Sequence, residues 1–94
     1  MSNVRVVEKH SLSIEEAKNR VVSFSGYLES KGVKTIWNGN RADVKGPFGV
    51  GGDIQVTDSQ VEVNVKLPLM ARAVIKADKL ESSIRKRLVE KLQG

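Results

Sequence analysis

Residues 45–56 read KGPFGVGGDIQV. Four of the chain's eight glycines (Gly46, Gly49, Gly51 and Gly52) fall in these twelve positions, beside one of its two prolines. Such a stretch is either a phosphate-cradling loop or a strand that needs gaps in its side-chain surface. A dinucleotide fingerprint, G-x-G-x-x-G, has to join a strand to a helix. Gly49-Val50-Gly51 starts that pattern, but position 54 is isoleucine and the residues around it alternate like a strand. A Walker-type loop needs Gly-Lys-Ser/Thr. Here Gly52 is followed by Asp53, whose charge repels a phosphate. The stretch therefore reads as turn chemistry at Gly46-Pro47 running into a strand. Gly49, Gly51 and Gly52 then mark a bend, a bulge or a close backbone approach. They are expected to shape the curvature of a sheet and to leave room for a helix against it.

Working outward, Val4, Val6 and Val7 give a first strand over residues 3–9. Ser13 with Glu16 three residues on is a capping box, and Leu12 can staple onto Ala17. Ile14, Ala17, Val21, Phe24 and Leu28 recur every three or four residues, one apolar stripe of a helix that Gly32 stops. Gly26 inside it either admits a close neighbour or is simply tolerated. Val33–Trp37 reads as a strand, Asn38-Gly39 as a hairpin turn and Arg41–Lys45 as the returning strand. Beyond the glycine-rich strand, Thr57-Asp58-Ser59 turns the chain. Val61, Val63, Val65 and Leu67 then alternate with Glu62, Asn64 and Lys66, a strand with one polar face. Ala77, Leu80, Ile84 and Leu88 predict a final helix over about 77–92, with residues 69–76 open between strand, loop and early helix. The order β-α-β-β-β-β-α predicts an α+β domain. It has an antiparallel, curved sheet of four or five strands and two helices packed on one face.

The length of 94 residues predicts a single domain, 1–94. With aromatics at 4%, its core has to be built from Val, Ile, Leu and Ala. There is no cysteine, which removes disulfides, thiolate nucleophiles and thiolate metal sites together. No apolar run approaches the roughly 20 residues of a bilayer span, and the opening residues lack the apolar core of a secretory signal. The expectation is a cytoplasmic protein. Of the net charge of +5, the segment from Met70 to Gly94 carries seven bases minus three acids, or +4. That end is the electrostatically distinctive one.

Gly49-Val50-Gly51-Gly52-Asp53-Ile54-Gln55-Val56 has the form G-V-x-G-x-I-x-V. With it go His10-Ser11-Leu12-Ser13, Glu15-Glu16-Ala17, Trp37-Asn38-Gly39, the valine-alternating strand ending at Leu67 and a charged last helix. Together these resemble the small bacterial family of polyhydroxyalkanoic acid system proteins, over nearly the whole chain. Residues 68–78 follow the pattern least closely. The resemblance implies a polyhydroxyalkanoate setting, with the storage granule or its proteins as partner. It carries over no catalytic residues.

The residues themselves nominate no catalytic site, cofactor or metal. His10, the only histidine, sits at a strand-to-helix junction without an evident nucleophile or orienting group, so it reads as structural. Asp43 and Asp53 can approach across a hairpin, but Glu15 and Glu16 are explained by the helix start. Trp37 and Phe48 are the candidate ligand or partner surface. The plainer role for Trp37 is to close one end of the core with its indole N–H on a polar group. The alternative function is nucleic-acid or polyanion binding by Arg72, Lys76, Lys79 and Lys86. These share one face if the last helix begins early enough to include Arg72. A solvated face with pairs such as Arg87–Glu90 is the competing explanation. A cavity between sheet and helix would suit hydroxyacyl chains, but so short a chain is expected to pack closed. Exposed strand edges leave both monomer and homodimer open.

Overall fold

The computed structural model of the protein describes residues 2–93. Strand β1 (Ser2–Lys9) leads into helix α1 (Ile14–Ser30). Strands β2 (Lys34–Asn38), β3 (Arg41–Lys45), β4 (Gly51–Val56) and β5 (Gln60–Leu67) follow, then a short helix α2 (Leu69–Arg72) and a last helix α3 (Ala77–Gln93). The sheet is antiparallel in the order β1-β5-β4-β3-β2. The four later strands form the expected meander, and β1 adds to it beside β5. Because β1 and β2 are opposite edges, α1 has to carry the chain across one face of the sheet.

Alternation decides which face that is. Val4 and Val6 of β1, Val61, Val63, Val65 and Leu67 of β5, Ile54 and Val56 of β4, and Ala42 and Val44 of β3 are all buried. They join Ala17, Val21, Phe24 and Leu28 of α1 and Ile84, Leu88 and Leu92 of α3 in one apolar cluster. Fully burying each Val, Leu or Ile contributes roughly 1.5–3 kcal/mol, so this layer dominates stability. The two long helices are also latched to each other. Arg20 donates to the Lys91 carbonyl at 3.0 Å, and the Lys91 ammonium reaches the Ser23 hydroxyl at 3.1 Å.

The ends of α1 are set locally. The Ser13 hydroxyl accepts from the Glu16 amide at 3.2 Å. The reciprocal half of the capping box is not made, because Arg20 takes the Glu16 carboxylate at 3.0 Å. At the other end Gly32 is left-handed (φ 84°). Its amide donates to the Glu29 carbonyl and the Val33 amide to the Leu28 carbonyl, both at 3.0 Å. This is a Schellman ending, and it holds Val33 against Leu28. The β2–β3 hairpin differs by one residue from the Asn38-Gly39 expectation. Asn38 still pairs with Arg41, and Gly39-Asn40 forms the loop, with only Gly39 at positive φ.

The glycine-rich stretch divides its work. After β3, Pro47–Gly49 makes one 3-10 turn, in which Phe48 (φ 59°) and Gly49 (φ 79°) are both left-handed. The next glycines lie inside β4. An added Cβ at Gly52 would land inside the Asn64 carbonyl oxygen and 3.0 Å from Val65 Cα. The close approach is therefore to the backbone of β5, where a helix neighbour was expected. Gly26 proves merely tolerated, since a Cβ there meets nothing within 4 Å.

Two substitutions in α1 should act in opposite directions. Gly26→Ala should raise the unfolding free energy by about 0.5–1 kcal/mol, through helix propensity alone. Gly32→Ala should lower it by about 1–2 kcal/mol, because alanine resists the left-handed backbone. Denaturant midpoints of the two variants check both.

Candidate functional site

The end of the molecule that carries the 3-10 turn, α2 and the start of α3 is unlike the rest. Between α1, α3 and the sheet lies a groove of about 540 Å3. Its walls are nearly all apolar, with Val44, Val63 and Val65 from the strands, Leu28 from α1, and Leu80 and Ile84 from α3. The core beneath it is packed closed, as a chain this short predicts, and the groove is an opening at its surface. The physical reason is that this end is lined mainly by valines, while the larger apolar side chains nearby turn outward. Leu69 is 77% exposed, Met70 69%, Val74 63% and Phe48 50%. α2 packs beside the 3-10 turn, which gathers these outward side chains at one end. A left-handed phenylalanine costs roughly 1–2 kcal/mol, so Phe48 is held outward against its own backbone preference.

The rim is basic. Lys31, Lys76 and Lys79 line the groove, and no carboxylate does. The Tyr27 ring on the same wall lies 5.8 Å from the Lys31 ammonium and 4.6 Å from the Arg87 guanidinium. Cations at that distance over a ring face are stabilised by its quadrupole. Arg87 is thus engaged with Tyr27, and the intrahelical pair that forms on α3 is Glu81 with Arg85, at 3.8 Å.

The four nominated cations do not form one helical stripe. α2 ends at Arg72 and α3 begins only at Ala77, with a turn between them. Lys79 and Lys86 lie on α3, whereas Lys76 and Lys79 meet at the groove. Trp37 and Phe48 are likewise separated. Phe48 is exposed on the 3-10 turn next to the groove residue Pro47, while Trp37 pairs with Ala42 in the hairpin and packs on the core, and neither lines the groove. The indole N–H of Trp37 is buried and has no hydrogen-bond partner among the described residues, contrary to the expected polar contact. The Lys18 ammonium stands 5.7 Å from its ring.

His10 is occupied at both nitrogens. Nδ1 accepts from the Leu12 amide at 3.1 Å, so Nε2 carries the proton and donates to the Thr57 carbonyl at 2.8 Å. The ring ties the β1–α1 connection to the β4–β5 turn, as its structural reading required. The acids on the uncovered face of the sheet are also committed. Asp43 and Asp53 are register partners, and Arg41 reaches both, at 3.9 and 3.5 Å. Asn64 donates to Asp53 at 3.1 Å and to Glu62 at 2.8 Å, and Arg5 closes the chain on Glu62 at 3.0 Å. The result is a polar ladder across β1, β5, β4 and β3.

The geometry defines a class: a small α+β domain with one helix-covered sheet face and an apolar, lysine-rimmed groove at one end. The family model of the putative polyhydroxyalkanoic acid system proteins matches residues 4–92. The chain belongs to that family. No curated protein matches it. Among the described residues no group of three or more acids or histidines is placed to hold a metal ion, and no helix is long and apolar enough to cross a membrane.

The polar ladder makes a pH prediction. The amide of Asn64 and then the guanidinium of Arg5 hold the Glu62 carboxyl below its ordinary value of 4.5. A lowered carboxyl stabilises the fold above that value and loses its contribution as pH falls through it and below. The stability of the native chain should therefore decline below pH 4.5. Glu62→Gln should decline less steeply, as read from denaturant midpoints across the acid range.

Proposed function

We propose that this chain is a non-catalytic binding module of a polyhydroxyalkanoate system, acting in the cytoplasm as one domain. It adsorbs through its groove end to the storage granule or a protein on it. The observation that carries this reading is the gathering of Phe48, Leu69, Met70 and Val74, exposed, at one end of the molecule. Burying such side chains in the native fold would stabilise it, and here they are held in water. Exposed apolar clusters of this kind mark interaction surfaces. The family supports a polyester as the setting, and a polyester surface is apolar enough to reward their burial. The non-catalytic part of the proposal is supported by commitment. His10 has both ring nitrogens hydrogen-bonded, and Asp53 is held by Gln55 and Asn64 with Arg41 nearby, while the exposed Asp43 faces only Arg41.

Co-sedimentation with isolated granules tests the reading. The double variant Leu69→Ser/Met70→Ser should keep its stability within about 0.5 kcal/mol, as exposed substitutions do. Its retention on granules should fall several-fold. Phe48→Gly should also lower retention while relieving the left-handed backbone, so that weaker adsorption accompanies an undiminished fold. Retention equal to wild type in both variants would refute the assignment of this surface.

A further inference from the structure

We infer that the groove is a binding site for a single-chain amphiphile with an anionic head, a medium-chain carboxylate being the simplest. The inference does not depend on granule adsorption and is tested in free solution. Its first support is shape and chemistry. A groove of about 540 Å3 lies within the roughly 300–1,000 Å3 of ligand pockets, and apolar walls with a few polar groups are their usual lining. Val44, Val63 and Val65 are the sheet's contribution to the lining, and all three are apolar. A straight hydrocarbon tail fits such a trough.

The second support is charge. Lys31, Lys76 and Lys79 line the groove from the cap that ends α1, the link before α3 and α3 itself, and no acid lines it. The nearby Glu81 is turned to Arg85, and Asp78 is exposed on α3 outside the lining. Lys76 and Lys79 are in no ion pair among the described residues. Three ammonium groups around an apolar trough are complementary to a molecule with an apolar tail and a negative head. A neutral hydrocarbon would leave the cations unused, and a polyanion such as RNA would leave the trough empty. Tyr27 and Ser83, also on the lining, each carry a hydroxyl.

The test uses the full chain with decanoate and decanol, below their aggregation concentrations, by titration calorimetry. Decanoate should bind wild type, and each methylene added from hexanoate upward should tighten binding by up to about fourfold until the trough is filled. Lys76→Ala/Lys79→Ala should weaken decanoate roughly three- to tenfold and leave decanol unchanged, since exposed charge pairs contribute modestly. Val74→Trp, placed at the exposed mouth, should weaken both ligands without touching the core. Equal binding of decanoate and decanol, insensitive to the lysines, would overturn the head assignment. Absence of decanoate binding to wild type would overturn the site itself, leaving the granule reading to its own assay. Displacement of decanoate by short single-stranded RNA would also overturn it, by showing that the lysines serve a polyanion.

Discussion

At Gly52 the backbone of β4 runs so close to the Asn64–Val65 backbone of β5 that no side chain fits between them. Much of the rest follows from that contact. It fixes the register in which Ile54 meets Val63 and Val56 meets Val61, and so places their side chains in the layer that α1 and α3 cover. Slipping the register by one residue would send that apolar set to the open face, where Asp53, Glu62 and Asn64 now form their ladder.

The groove end gathers in one place features that are scattered through the rest of the fold. Elsewhere exposed large apolar residues stand singly, as Ile36 on β2 and Val22 on α1 do. Around the groove, Leu69 and Met70 turn to solvent, Phe48 adopts a backbone that phenylalanine resists, and lysines stand without carboxylates among the lining residues. Each feature opposes stability or is neutral to it, and they coincide at one end. Functional surfaces are where such local disagreements collect. The basic character of the last quarter of the chain thus finds a place at the groove rim, with Arg87 spent on Tyr27 and Arg85 shared between Glu81 and Glu8.

Most of the architecture was legible because it rests on short-range periodicity. Valine alternation in β1 and β5, the three-four spacing of α1 and the glycine stop at Gly32 each name their element directly. The phosphate-loop reading of KGPFGVGGDIQV failed on the residues themselves, and β4 took its place. Residues 69–76 were not legible, because Leu69, Met70 and Val74 look like core residues by type and are exposed by position. The groove stayed hidden for the same reason, since nothing local says that those side chains decline to fill it. Lys76 and Lys79 were singled out for charge alone, and their apolar neighbours come from α1 and the sheet, far away in sequence. The partnering of His10 was foreseen in kind, while the clamp of Arg41 on two aspartates depended on a strand register that only the folded chain supplies.

The central claim is that backbone contact at Gly52, rather than general loop flexibility, holds this sheet together. The unfolding free energies of Gly52→Ala and Gly51→Ala test it most directly. An added Cβ at Gly51 meets its nearest neighbour at an ordinary 3.6 Å. Gly51→Ala should therefore change stability by less than about 0.5 kcal/mol, and Gly52→Ala should lower it by at least about 2 kcal/mol. Similar, small effects at both positions would contradict the account.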